Sequence, residues 1–141
     1  MKLSEHFSLG ELTKTNYVTK DGNFPSRVAI ENLTNLCENW LEALRQAQGP
    51  LIINSGYRSP EVNKFAGGSS TSNHLTGCAV DIHVTGFEQA IRYASILLDI
   101  SEGTQQDYDE LFIEKNSAGR YWIHFAVRPK DNRRKSGFIK V

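Results

Sequence analysis

Residues 72–81 read Ser-Asn-His-Leu-Thr-Gly-Cys-Ala-Val-Asp, so two residue types that bind metals lie on either side of a predicted junction between loop and strand. A loop rich in Gly and Ser, residues 66–73, leads to His74, and the residues that follow predict a strand over 78–84 that carries Asp81. Catalytic zinc sites use three protein ligands, among them imidazole nitrogens and carboxylate oxygens, and keep a fourth position for water. His74 and Asp81 are therefore two candidate ligands.

A third ligand has to come from another part of the chain, and His124 is the best candidate. Trp122-Ile123-His124 lies in an apolar segment that predicts a strand over residues 121–127, where an imidazole without a partner is costly. Each residue by itself has a simpler interpretation: His74 as a loop histidine, Asp81 as a hydrogen-bonding residue at a strand end, and His124 as a satisfied interior histidine. The complete pattern, Ser-x-His-x-x-Gly-x-Ala-x-Asp followed 43 residues later by the histidine of Trp-x-His, favours a shared metal site.

The spacing of apolar residues elsewhere predicts a mixed α+β domain. A stripe of apolar residues at intervals of three and four predicts a long helix from Ser26 to Gln48, and Gly49-Pro50 ends it. Two further helices are predicted, a short one that begins after the N-cap residue Ser8 and a longer one over residues 87–100. Short apolar runs predict strands over residues 51–54 and 111–113, and the second of these forms a hairpin with residues 121–127.

Length and composition indicate a single domain over residues 1–141. Hydrophobic residues make up 39% and charged residues 23% of the chain, which is typical of globular proteins. Lys+Arg and Asp+Glu number 16 each, so no excess of charge favours nucleic acid as a partner. Within the domain we expect residues 1–24 to be a lead-in segment and residues 128–141 to be a basic, solvated tail.

The chain contains no segment that predicts membrane insertion. Residues 1–8 have no apolar run of signal-peptide length, and no later segment is long and apolar enough to span a bilayer. We therefore expect synthesis in the cytoplasm without an export signal. The sequence leaves the oligomeric state open.

A second motif accompanies the candidate ligands: Ser55-Gly56-Tyr57-Arg58-Ser59-Pro60-x-x-Asn63, with Gly67-Gly68-Ser69 before the first histidine. Together these motifs resemble the M15 peptidase family, the zinc D-alanyl-D-alanine carboxypeptidases, dipeptidases and phage L-alanyl-D-glutamate endopeptidases that cut peptidoglycan stem peptides. The resemblance covers most of residues 8–127. It implies the fold that this family shares with the hedgehog signalling domain, a small antiparallel sheet packed against helices, and one zinc ion bound by the three candidate ligands.

The resemblance also implies roles for Arg58 and Ser72. Arg58 would bind a carboxylate or carbonyl of the substrate, to which the planar fork of guanidinium donors is suited, and a surface arginine is the alternative. Ser72 would hydrogen-bond near the metal or the substrate, and a simple turn serine is the alternative. His83 lies two residues beyond Asp81, on the same face of the predicted strand, and is a weaker candidate for contact with the site.

Amide hydrolysis also needs a general base, and here the chain departs from part of the family. Several members have Asp or Glu three residues before the last histidine, where this chain has Tyr121. Glu114 is our candidate, because residues 109–114, Asp-Glu-Leu-Phe-Ile-Glu, resemble the D-x-L-I-x-E strand of short M15 members. If the hairpin pairs Glu114 with Trp122, Glu114 shares a face with His124 and lies diagonal to it. A shift of one residue would turn Glu114 away and leave it an exposed strand glutamate.

The first functional hypothesis is a zinc peptidase that hydrolyses an amide bond in the peptide stem of bacterial peptidoglycan, of the D,D-carboxypeptidase or the L-alanyl-D-glutamate endopeptidase type. The alternative is a zinc-stabilised binding module, akin to the hedgehog domain, that recognises a wall peptide or protein without cutting it. The absence of a signal peptide fits a phage endolysin, a virion-associated enzyme or an intracellular bacterial protein. The basic tail suits an anionic wall polymer, with a solvated terminus as the simpler interpretation.

Overall fold

A computed structural model describes residues 1–141 and contains five α-helices and five β-strands. The helices are α1 (Leu9–Thr13), α2 (Arg27–Leu36), α3 (Glu42–Gln48), α4 (Pro60–Phe65) and α5 (Phe87–Thr104). The strands are β1 (Ile53–Ser55), β2 (Ala79–His83), β3 (Glu110–Lys115), β4 (Tyr121–Ala126) and β5 (Lys135–Lys140). The predicted α+β class is confirmed. None of the helices has both the length and the apolar composition that crossing a bilayer requires.

The five strands form one sheet in the order β1-β2-β4-β3-β5. The β1–β2, β2–β4 and β3–β4 pairs are antiparallel, as expected. Strand β5, in contrast, pairs with β3 in parallel, so the sheet is mixed and not purely antiparallel.

The expectation of a solvated tail over residues 128–141 is wrong for its second half, which is β5. The backbone of this segment pairs with the outer edge of β3, and most of its side chains remain exposed. Pairing between strands is made by backbone groups, so a charged segment without a buried face can still cover an open edge. The exposed side chains explain why the composition alone predicts a tail.

The predicted helix over residues 26–48 is present, but a π-helical turn, Cys37–Leu41, joins α2 to α3. Ser26 caps its start by accepting a hydrogen bond from the backbone N–H of Ala29 at 3.1 Å. A π turn adds a residue to a helical turn and so shifts the phase of the apolar stripe. Apolar residues before, within and after this turn are fully buried: Leu33, Leu36, Trp40 and Leu44.

Alternation along the strands separates the core from the other face of the sheet, because successive side chains of a strand point to opposite faces. The core face packs against the helices and carries Val80, Ile82, Leu111, Ile123 and Phe125. The opposite face carries the polar and aromatic residues of alternate parity: Asp81, Glu110, Phe112, Glu114, Trp122 and His124.

The N-terminal lead-in is part of the core rather than a separate arm. Leu3, Phe7 and Leu12 are buried in the main hydrophobic cluster, and Ser8 caps α1 as predicted. The carbonyl of Leu12 accepts a hydrogen bond from the backbone N–H of Tyr57 at 2.8 Å, which ties the lead-in to the segment that follows β1.

Candidate metal centre

His74 lies in a short 3₁₀ turn, Asn73–Thr76, between the Gly-rich loop and β2. Ser72 begins this turn, and its Oγ accepts a hydrogen bond from the backbone N–H of His74 at 3.1 Å. Gly77 ends the turn with φ 73°, in the left-handed region where glycine is favoured. His74 is only 2% exposed, so the turn presents its imidazole to the interior of the site.

Asp81 and His124 are direct partners in the antiparallel pairing of β2 with β4. The Oδ1 of Asp81 lies 3.1 Å from Nδ1 of His124 and 3.3 Å from Nε2 of His74. One ligand atom from each of the three residues falls within 4.8 Å of the others. The structure thus brings together the three candidate ligands, which come from a loop and two neighbouring strands.

Hydrogen bonds on the far side of each imidazole determine which nitrogen faces Asp81. Nδ1 of His74 lies 2.7 Å from the carbonyl oxygen of Gly56, which can only accept, so this nitrogen carries the proton. Nε2 of His124 lies 2.9 Å from Oε1 of Glu110 and donates to that carboxylate. Nε2 of His74 and Nδ1 of His124 are then left for a metal beside Asp81, and this set of two imidazoles and one carboxylate fits zinc.

The electrostatics of the three residues are strongly coupled. Burial alone would raise the pKa of Asp81, but His74 and His124 lower it far below its usual range. Burial would lower the pKa of His124, but its bonds to Asp81 and Glu110 raise it to about 10. A protonated His124 ring donates to Asp81 and Glu110 at once, and a metal bound at Nδ1 would displace one of these protons and add one positive charge beside the carboxylates.

Arg58 points into the site and is not a surface arginine. Its Nη2 donates to Oδ2 of Asp81 at 3.2 Å, its Nε donates to Ser55 Oγ at 3.0 Å, and its side chain is 16% exposed. Both oxygens of Asp81 are consequently oriented, one toward the histidines and one toward the guanidinium. Arg58 also lines a cavity of about 510 Å³ beside Asp81 and Trp122.

The hydroxyl of Ser72 caps the turn that carries His74, which is the contact expected of a simple turn serine. Ser72 also lines a second cavity, of about 540 Å³, together with Glu114 and His124. His83 lies on β2 beyond Asp81 and is not among the three clustered ligands.

The β3–β4 hairpin has the register that Glu114 requires to act as a general base at the site. Glu114 pairs with Trp122 across this hairpin, and Trp122 Nε1 donates to Oε1 of Glu114 at 2.8 Å. Burial raises the pKa of Glu114 above its usual value, and the nearby charge of Asp81 acts in the same direction. Glu114 is therefore a partly buried carboxylate, diagonal to His124, with a raised proton affinity.

Sequence reasoning assigned no role to Glu110 or Asn73, although both contact the site. Glu110 accepts from His124 and also from Asn73 Nδ2 at 2.7 Å. The hydrogen bond from His124 is the main reason that the pKa of Glu110 lies below its usual value. The sequence did contain a signal for Glu110. It lies four residues before Glu114 on the same strand, so the two side chains share the face of the sheet that carries the site.

Comparison with known proteins agrees with this geometry. A model of the peptidase M15 family matches residues 5–110. The chain belongs to the peptidase M15 family. The match includes His74 and Asp81 and ends before His124, so the structure supplies the third member of the cluster.

A curated relative is similar to the chain over part of its length. The chain is 35% identical over 80 residues to a zinc D-Ala-D-Ala carboxypeptidase of Streptomyces albus G. The aligned part is 55% of this chain and 31% of the relative, so the chain spans about a third of that protein.

Proposed function

We propose that this M15 chain is a zinc peptidase that hydrolyses an amide bond in the peptide stem of bacterial peptidoglycan. The observation that carries the proposal is the position of Glu114 on the same sheet face as the ligand cluster, with its pKa raised. The family and the curated carboxypeptidase relative support the same reaction class.

A bound zinc ion would supply Lewis acidity, polarising the amide carbonyl and making water nucleophilic at neutral pH. Glu114 is the residue proposed to take a proton from the attacking water and return it to the leaving amine. Trp122 holds one carboxylate oxygen of Glu114 by its 2.8 Å hydrogen bond, which leaves the second oxygen for proton transfer. Partial burial raises the pKa of Glu114, so its carboxylate is a stronger base toward the attacking water in the first step.

The two cavities support an extended peptide as the substrate. Asp81 lines one cavity and His124 lines the other, so a chain running from one to the other passes the ligand cluster. Lys14, Arg58 and Arg120 line the first cavity, and neither Lys14 nor Arg120 forms an ion pair within the protein. Such a cationic lining suits the free carboxylates of a stem peptide, and Arg58 is proposed to orient the substrate.

The experiment is digestion of purified sacculi with the pure protein, with and without a chelator. Release of new amino groups that stops with chelator and returns with zinc supports the peptidase. Mass spectrometry of the products separates the two candidate types, since a D,D-carboxypeptidase frees D-alanine and an L-alanyl-D-glutamate endopeptidase frees an N-terminal D-glutamate. His74→Ala serves as the variant without a complete ligand set. Amine release that His74→Ala or chelator leaves unchanged would contradict the proposal.

A second candidate is a zinc-stabilised module that binds a wall peptide or protein without cutting it. The observation in its favour is Tyr121, which occupies the position where several M15 members have an acidic residue. In this case the protein would sediment with sacculi and bind zinc, yet release no amines.

A further inference from the structure

His124 is held at both edges of its ring by carboxylates. Its Nδ1 lies 3.1 Å from Oδ1 of Asp81, and its Nε2 lies 2.9 Å from Oε1 of Glu110. Phe112, its direct partner on β3, stacks on the ring with 5.8 Å between centroids and 14° between planes. The ring therefore has little freedom to rotate, and the nitrogen turned away from Asp81 is bound by Glu110.

Glu110 is itself held in place by donors. Asn73 Nδ2 donates to Oε1 of Glu110 at 2.7 Å and to Oδ2 of Asp109 at 2.8 Å. Arg128 Nε donates to Oδ1 of Asn73 at 3.2 Å, which sets the orientation of that amide. Arg133 Nη2 adds an ion pair to the other oxygen of Glu110 at 3.6 Å. The carboxylate is thus oriented by several groups and is only 19% exposed.

The two glutamates of β3 lie on different sides of His124. Glu110 contacts Nε2, the nitrogen remote from Asp81 and His74, whereas the candidate ligand atoms cluster on the Nδ1 side. Glu114 occupies the other diagonal position, beside Trp122. Glu110 is therefore placed to act on the ligand His124 rather than on the reacting groups.

We infer that Glu110, oriented by Asn73, is a positioning residue that holds the Nε2–H of His124 and so directs the Nδ1 lone pair toward the metal. A carboxylate that accepts from the far N–H of a ligating imidazole sets its tautomer and raises its basicity. Asn73 immediately precedes His74, so the neighbour of one histidine ligand orients the carboxylate that contacts the other. The inference rests on the metal site of the proposed function and not on amide hydrolysis.

Zinc affinity, measured by competition with a chromophoric chelator, tests this role in Glu110→Ala and Glu110→Gln. We expect Glu110→Ala to lower zinc affinity by about 10- to 100-fold, the usual effect of losing such a partner. Glu110→Gln should lose less, because its amide oxygen still accepts from Nε2–H. Glu42→Ala is the matched control: Glu42 is 21% exposed and lies 2.7 Å from His6 Nδ1, but it is outside the site. Its zinc affinity should equal that of the wild type.

Proton and nitrogen NMR of the zinc-loaded protein distinguishes this local role from a general loss of side-chain packing. In the wild type we expect a protected His124 Nε2–H signal, and in Glu110→Ala this signal should shift and exchange with solvent. The Nδ1–H of His74, which donates to the carbonyl of Gly56, should stay unchanged in the same spectrum.

An unchanged Nε2–H signal, with zinc affinity in Glu110→Ala within about twofold of wild type, would overturn the inference. A wild-type protein that binds no zinc would overturn it as well. A wild-type protein that binds zinc but frees no amines from sacculi would contradict only the peptidase, so the two failures are distinguishable.

Discussion

Asp81 and His124 face each other directly across β2 and β4, and this pairing places Asp81 Oδ1 3.1 Å from His124 Nδ1. The two residues are 43 positions apart in the chain. Their contact places a carboxylate between two imidazoles, since His74 reaches the same oxygen from the preceding turn.

Replacing Asp81 with Asn should remove zinc from the protein. The amide is a much weaker metal ligand than a carboxylate, and it also loses the ion pair with Arg58. Losing a direct ligand should lower zinc affinity more than losing a residue that only hydrogen-bonds to a ligand. We therefore expect zinc affinity to fall by at least about 100-fold. Metal content after dialysis measures this, with the exposed Asp99→Asn as control. An Asp81→Asn protein that keeps stoichiometric zinc would rule out Asp81 as a ligand.

Glu114→Gln should separate metal binding from turnover. The amide keeps the shape of the side chain but cannot take a proton, so we expect kcat on sacculi to fall by about 10²- to 10⁴-fold. Zinc content should remain that of the wild type, because Glu114 is not in the ligand cluster. Full activity in Glu114→Gln would mean that another residue is the base.

Trp122→Phe should shift the pH dependence of activity. The hydrogen bond from Trp122 lowers the pKa of Glu114 and partly opposes the upward effect of burial, so its removal leaves the pKa higher. A general base acts when deprotonated, and its activity is lost as pH falls through its pKa. The acidic limb of kcat/KM should therefore move to higher pH. Tyr121→Phe, on the opposite face of β4, is the control, and an identical limb in both variants would argue against Glu114.

Asp109→Asn should destabilise the fold in a pH-dependent way. Burial alone would raise the pKa of Asp109, but hydrogen bonds from Arg133 and Asn73 lower it well below its usual value. Because the folded-state pKa is lowered, this stabilisation is present above about pH 4 and is lost as pH falls further.

For this variant we expect a loss of about 2 kcal/mol at pH 7, since the buried Asp109 carboxylate loses its charge-assisted hydrogen bonds from the exposed Arg133, and a smaller difference from wild type at pH 3. Urea unfolding with excess chelator measures it without a contribution from metal. Asp107→Asn, whose side chain is 50% exposed beside Arg134, should cost less than about 1 kcal/mol. A difference between Asp109→Asn and wild type that stays constant down to pH 3 would contradict the argument.

Gly56→Ala should weaken both stability and zinc affinity. A Cβ at this position would lie 2.3 Å from the carbonyl oxygen of Leu12, so the backbone has to move. We expect a cost of about 2 kcal/mol or more, and lower zinc affinity because the carbonyl of Gly56 holds Nδ1 of His74. Gly103→Ala in α5, where no atom lies within 4 Å of the added Cβ, should be neutral or stabilising. Equal thermal midpoints for the two variants would contradict the steric argument.

Several parts of the fold were predictable because they depend on local patterns. Apolar residues at helical spacing predicted the helix over residues 26–48, and short, mostly apolar segments predicted the strands that carry Asp81 and His124. The π turn within that helix was not predictable, since its apolar stripe reads as one continuous helix and the change of phase follows from packing. β5 was missed because its side chains are mostly exposed and only its backbone pairing with β3 makes it a strand.

The sequence by itself determined the α+β class and the residue types of the ligand cluster, because periodicity and side-chain chemistry are properties of short segments. It also named Glu114, on the condition of one hairpin register. Only the tertiary structure decided that register, the pairing of Asp81 with His124, and the contact of Glu110 with the far nitrogen of the same histidine. These depend on how distant segments align and on which groups surround a carboxylate, and a shift of one residue would place each of them on the opposite face.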